Sequence, residues 1–405
     1  MDNIKVDLNE EYDRVVELAV EKFGYGEDLK GVLRRILPAM LEGRSFEDRQ
    51  LFYKMLSHTP IAVIPENTEL TTGELNEQYL GNLNPHVIDG ESDMGEYGKK
   101  PGDGAFVSEV ILDENLNVKG KKQFIYVKAL DTEKTHYSKA LERIDILGTG
   151  INVSHLIHEL GHAWVSEQDT YTVKGNELIN RCGTAYLKSE MIPNGDGTYT
   201  RNLVSHEGLM LEEALNTEME VESLSRYLGK SREETEALYK DGTLIPSNYQ
   251  GTMSAIAEHL NKTALAEDFR KYRLTGDKKI LDKINEKMMQ TEEYKRREES
   301  TEESRAKDEV LKNPVSSGIK KFVERCGRDF TRSKENMTPV DMLEDSLQKL
   351  YDLSVNKLCF DIFTPECRDQ YVALSREAQC ESYVLINQTR DLIQGKNQDL
   401  SEEQK

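Results

Sequence analysis

This sequence has few cysteines, no long apolar run and fewer basic than acidic residues, and each shortage narrows what the chain can be. Five cysteines (Cys182, Cys326, Cys359, Cys367 and Cys380) are scattered over 405 residues with no CxxC pair. An odd, dispersed set of thiols argues against a disulfide framework and fits free cysteines in a reducing compartment. Apolar runs such as IAVI at 61–64 fall far short of the roughly 20 residues that a membrane helix needs. Basic residues number 53 against 74 acidic ones, for a net charge of −21. That balance disfavours nucleic acid or an anionic membrane as the main partner and reads as a solvated acidic surface. The opening residues, MDNIKVDLNEEYDRVVELAV, lack the basic start and apolar core of a secretory signal. Cytoplasmic residence is therefore the expectation, with signal-independent export left open. No phosphate-binding P-loop and no dinucleotide fingerprint is present.

What is there divides by its periodicity. Residues 8–57 read as two or three short amphipathic helices, with Tyr12, Val15, Val16, Leu18 and Val20 at helical spacing in the first. The period then changes. IAVIPE (61–66), AFVSEVIL (105–112) and KQFIYVKAL (122–130) are short, β-branched and bounded by turn residues, so a small, mostly antiparallel sheet is expected. GTAYLKSEM and TYTRNLVS form a second hairpin across IPNGDG, whose Asn194-Gly195 and Asp196-Gly197 accept positive φ. From Gly208 onward the pattern is almost wholly helical. Residues 287–312 are very highly charged and read as a solvated helix or linker, and 339–361 and 367–394 as two long amphipathic helices. The expected organisation is a helical segment at 1–60, a mixed domain at 61–263 and a helical region at 264–405.

The stretch HLIHELGHAW (155–164) carries the chemistry. Val153, Leu156, Ile157, Leu160 and Trp164 follow the spacing of a buried helical stripe. His158 and His162, four apart, then stack on one face a turn apart. Two imidazoles so placed can share one Zn²⁺, and Glu159 beside them can take a proton from a metal-bound water. With eight histidines in the chain, H-E-x-x-H arises by chance in roughly one or two chains per hundred of this composition. Gly161 stands in the helix interior, where glycine costs about 0.5–1 kcal/mol relative to alanine. Its presence there implies that a strand or a substrate channel approaches this turn closely.

A catalytic zinc usually has three protein ligands and an open position. Fifty residues on, GLMLEEALNTEMEVE (208–222) reads as a second amphipathic helix rich in carboxylates. His158-Glu159-Leu160-Gly161-His162 followed by Glu-Ala-Leu-Asn-Thr resembles the gluzincin class of zinc metallopeptidases. The resemblance is specific over about 155–222, with a looser likeness in element order from 61 to about 263. It implies a zincin-like α+β fold, with a small, mostly antiparallel sheet and the zinc helix in an upper lobe and a helical lower lobe; the extra helices at both ends come from the periodicity, and the C-terminal ones and the second-hairpin insertion have no counterpart in the class. It implies one Zn²⁺ per chain held by His158, His162 and Glu213, with Glu159 as general base. Glu212 is the rival third ligand, with Asn216 four residues beyond it; helical phase does not choose between them. The acid that many gluzincins carry four residues after the ligand is replaced by Thr217, so the carboxylate that orients a histidine either comes from elsewhere, Glu218 being one source, or is replaced by a hydroxyl. The metzincin continuation is absent, because AWVSEQDT follows His162.

The same resemblance calls for a donor to the developing oxyanion. His206 is the first choice, and Tyr186, Tyr199, Tyr227 and His259 are alternatives. His155 reads as an outer-shell or helix N-terminal residue. An extended peptide would pair with an edge strand, for which 122–130 is the candidate. The expected activity is zinc-dependent hydrolysis of a peptide or protein substrate. The alternative is a non-catalytic, zinc-stabilised helical scaffold, against which Glu159 speaks, since a structural site wants a fourth ligand and no base.

Overall fold

The computed structural model describes residues 8–89, 99–132, 139–240, 264–289 and 341. Three amphipathic helices, α1 (Leu8–Phe23), α2 (Glu27–Leu41) and α3 (Phe46–Leu56), open the chain. In α1, Tyr12, Val15, Val16 and Ala19 are buried, whereas Leu18 is 56% exposed. The helical stripe runs 12, 15/16, 19, so Ala19 takes the core position that hydrophobicity alone would give to Leu18. Strand β1 (Ile61–Pro65), helix α4 (Thr72–Tyr79) and strands β2 (Val87–Asp89), β3 (Gly104–Leu112) and β4 (Val118–Ala129) follow. Thr71 and Glu74 close a capping box at the start of α4. After the short α5 (Lys139–Ile144) come the histidine helix α6 (Val153–Ser166), strands β5 (Thr170–Lys174), β6 (Glu177–Cys182), β7 (Ala185–Pro193) and β8 (Tyr199–Glu207), and the long α7 (Leu209–Leu228). The described helices end with α8 (Arg232–Lys240), α9 (Ala264–Thr275) and α10 (Lys278–Met289).

The strands form two small sheets, ordered β1-β4-β3 and β2-β8-β7-β6-β5. The architecture is thus a mixed one of helices and small sheets. In the first sheet β3 runs antiparallel to β4 and β1 parallel to it. The second sheet is larger than the expected hairpin, since β5 and β6 pair beside β7. The β7–β8 hairpin itself forms as expected, with Gly195 and Gly197 both at positive φ.

Sheet β1-β4-β3 is covered on both faces. Ile61, Ile125 and Val127 join the main core with α1–α3 and α6. Ala62, Ile64, Phe124 and Tyr126 point the other way and pack with Leu75 and Leu80 around α4. That explains the continuous apolar run at 124–127: a strand buried on both faces loses the alternation of a half-exposed one. A third cluster, Val110, Leu112, Leu116, Leu178 and Met191, joins the far end of β3 to the second sheet. Arg201 reinforces that junction, pairing with Glu109 at 2.6 Å and Asp89 at 2.7 Å.

The chain divides into two compact units, Met1–Glu207 with Asn216–Ile245, and Gly208–Leu215 with Pro246–Lys405. The first holds both sheets and the main core. In the second, Phe269, Tyr272 and Ile284 are buried, and Lys283 pairs with Asp268 at 2.7 Å. Helix α7 passes through the division as one continuous helix. Residues 290–312, the proposed helices at 339–361 and 367–394 (Asp341 excepted), and Cys326, Cys359, Cys367 and Cys380 lie outside the described residues. Among the described residues, no helix is long and apolar enough to cross a membrane.

Candidate metal centre

Helix α6 starts where its sequence says it should. The Asn152 side chain caps it by accepting the His155 backbone N–H at 3.2 Å. Val153, Leu156, Ile157 and Leu160 are fully buried and Trp164 nearly so, its ring meeting Phe52 edge-on at 5.2 Å. The apolar stripe thereby fixes the rotation of the helix and turns His155, His158, Glu159 and His162 onto the half-buried opposite face.

On that face the two imidazoles converge. Their Nε2 atoms lie 3.1 Å apart and the rings cross at 76°. The other nitrogen of His158, Nδ1, meets Glu220 Oε2 at 3.0 Å. A carboxylate accepts only, so Nδ1 carries a proton, and Nε2 is the nitrogen that faces His162. Glu220 itself is fully buried and also accepts the Ser154 hydroxyl. A buried carboxylate behind an imidazole is favourable when the ring bears positive charge, through a proton or through a metal on its far nitrogen.

Helix α7 supplies the remaining acids. Ligand atoms of His158, His162 and Glu213 all lie within 4.8 Å of one another, a group that could hold a metal ion. Glu212 points elsewhere. It is buried and gripped by Arg273, whose Nε and Nη2 donate to Oε1 at 2.9 and 2.6 Å. Glu218 is likewise engaged, receiving two hydrogen bonds of 2.9 Å from Arg232. The carboxylate that faces a histidine is therefore Glu220, not Glu218 and not a hydroxyl at Thr217. Its signal was in the sequence: 213, 216 and 220 follow the i, i+3, i+7 spacing of one helical face. Asn216 confirms the phase by donating to the His158 carbonyl at 2.8 Å.

Gly161 is where the two helices touch. A Cβ there would collide with the Asn216 side-chain oxygen and the Met219 methyl. The element that demands glycine is thus α7, not a strand or a substrate channel. The close approach lets three short acidic or amide side chains of one helix reach the histidines of the other.

Two zinc nitrogens bonded at 2.0–2.1 Å in a tetrahedron lie roughly 3.3 Å apart, close to the 3.1 Å between the imidazoles. Two imidazoles with one carboxylate, and a second carboxylate behind one ring, also match the donor chemistry of a zinc site. The residues present fit the ion.

Glu159 lies on the same face, and its Oε2 accepts the Phe106 backbone N–H at 2.7 Å. Phe106 is on β3, which is the edge of its sheet; β4 (residues 118–129) is the central strand, so 122–130 cannot serve as the edge. Ile125 donates toward β1, to Pro60, and Lys128 toward β3, to Asp103. With the register Phe106↔Ile125, the alternation of a strand turns the main chain of Gly104, Phe106, Ser108 and Val110 outward.

The other candidates scatter. His206 lies on β8 opposite Leu187; its side chain, like all of His259, is outside the described residues. Tyr199 packs against the third core cluster, and Tyr186 is half-buried on β7. Tyr227 is buried two turns beyond Glu220 on α7. His155 stands in the first turn of α6, its backbone held by the cap. No protein-family model, curated protein or solved structure matches this chain.

Proposed function

We propose that this protein is a zinc-dependent peptide hydrolase of the gluzincin kind, with a zincin-like arrangement of edge strand, histidine helix and glutamate helix. One observation carries the reading: His158 and His162 converge through Nε2 beside Glu213, while Glu220 holds the His158 ring from behind. His158, His162 and Glu213 hold the ion. When bound, zinc supplies Lewis acidity, polarising a carbonyl and lowering the pKa of a bound water to about 7. Glu220 fixes the tautomer and orientation of His158. Glu159 is the general base. Its Oε2 is held by Phe106 N–H, so Oε1 takes the proton of the attacking water and later delivers it to the leaving amine.

The substrate pairs with the outer edge of β3, not with the central β4. Asn84 closes one end of that edge, accepting from Leu112 N–H at 2.8 Å and donating to the Val110 carbonyl at 2.7 Å. Phe106 N–H is taken by Glu159; the Phe106 carbonyl and the outward main-chain groups of Gly104 and Ser108 are left to pair with an extended peptide.

The test is metal content together with turnover of a quenched peptide library, in wild type and in Glu159→Gln. Wild type should carry one zinc per chain and cleave; the variant should keep the zinc and lose cleavage. A zinc-loaded wild type that cleaves nothing, and melts earlier once chelated, would instead favour the scaffold. A wild type that takes up no zinc would end the proposal.

A further inference from the structure

A different chemistry sits at the opposite end of α7. Tyr227 lies two turns, about 10 Å, beyond Glu220. Around it, Tyr12, Arg35, Pro38, Ala39, Glu42, Arg49 and Arg226 line an open cavity of about 490 Å³. Three guanidinium groups and one carboxylate line it, with Arg226 paired to Glu222 and Glu42 and Arg49 facing Glu11 at 3.9 Å.

The hydrogen-bonding groups of this cavity fall into two sets. The acceptors at the C-terminal end of α2 are already taken. The Pro38 carbonyl receives Glu42 N–H and the Leu41 carbonyl receives Arg44 N–H. The Ala39 carbonyl receives Arg226 at 3.2 Å. Arg226 is further committed to Glu222 and, at 3.5 Å, to Glu42. The donors are not all taken. Arg49 Nε and the Tyr227 hydroxyl are buried with no hydrogen-bond partner. The nearest carboxylate to Arg49, Glu11, stands off at 3.9 Å. Arg35 is exposed at the rim, and no hydrogen bond or ion pair engages it among the described residues. Burial pushes the Tyr227 hydroxyl up to about 12, against the opposing pull of Arg35, so it remains a donor at neutral pH. A buried donor left unmatched costs free energy that an incoming acceptor recovers.

We propose that this cavity is a binding site for a small, multiply charged oxyanion, a phosphate or carboxylate compound held by Arg35, Arg49 and Tyr227. An acceptor-rich ligand matches a set whose unmatched groups can all donate, and planar guanidinium forks suit paired oxygens of either kind. The site is independent of the metal reading: none of its residues belongs to the histidine cluster.

The test is calorimetric titration of the full chain at low ionic strength with inorganic phosphate and, separately, succinate. Neither anion strips zinc appreciably. Saturable binding of at least one is expected, and the preferred one identifies the ligand class. Arg35→Met should weaken it about tenfold, and Tyr227→Phe should weaken it less. Arg35 is at the surface, so its variant keeps the fold, which a melting curve verifies. The proposal is overturned if wild type binds neither anion up to tens of millimolar, or if Arg35→Met binds as wild type does. The second result would place any bound anion elsewhere, the histidine cluster included.

Discussion

The two ends of helix α7 make opposite use of the same scaffold. Along its middle turns Glu213 stands beside the converging imidazole nitrogens of α6, where a cation would sit, while Asn216 donates to the His158 carbonyl and Glu220 holds the His158 ring from behind. Its last turn brings Arg226 and Tyr227 to a cavity rimmed by Arg35 and Arg49, where donors are in excess. Net charge would have foretold neither. A chain of −21 can still hold an anion, because recognition depends on which polar groups a local fold leaves unmatched, and the field of distant surface charges is screened within about 8–10 Å.

That contrast can be broken or sharpened experimentally. The largest effect is expected from Glu159→Gln, which should cut peptide turnover by about 10²- to 10⁴-fold while leaving the zinc content unchanged; metal analysis beside a rate assay reads both. Next comes the pair of neighbouring acids. Glu213→Gln should lower zinc affinity beyond the roughly 100-fold that loss of a mere outer partner costs, with little change in melting temperature. Glu212→Gln should do the reverse, because it leaves Arg273 buried without its carboxylate, at a cost of about 3–5 kcal/mol. If both variants lost metal equally and neither lost stability, the division of labour between them would be wrong.

Glu220→Gln keeps the shape of the side chain and removes its charge. Zinc affinity should fall about 10- to 100-fold, measured by competition with a chelator, and phosphate binding at the far cavity should not move. Gly161→Ala should destabilise by about 1–3 kcal/mol, as overpacking does, read from denaturant midpoints. Because the collision is with Asn216 and Met219, zinc affinity should drop with it. The smallest effect separates the two ends by salt: raising ionic strength should weaken anion binding at the exposed Arg35 and leave the half-buried histidine cluster nearly untouched.

Much of the candidate centre was legible without coordinates, and the illegible part has a common cause. The helix over 153–166, its buried stripe and the convergence of His158 and His162 follow from a 3.6-residue period acting within one segment. The β7–β8 hairpin follows from Asn194-Gly195 and Asp196-Gly197 in the same way. Leu18 was misplaced because its neighbours satisfy the stripe without it. The strand at 122–130 looked like the edge because it precedes the histidine helix in sequence. Its apolar continuity at 124–127 was the overlooked sign of a central strand.

The sequence by itself settled which side chains share a face, because i, i+3, i+4 and i+7 are properties of a single helix. It placed two imidazoles and a carboxylate together on α6; the spacing that lines up Glu213, Asn216 and Glu220 on α7 was also there, but did not by itself choose between Glu212 and Glu213 or single out Glu220. Only the tertiary structure decided which face of α7 meets α6. That choice rests on the close contact of Asn216 and Met219 with Gly161 and on the grip of Arg273 on Glu212, interactions between segments more than fifty residues apart that no local period encodes.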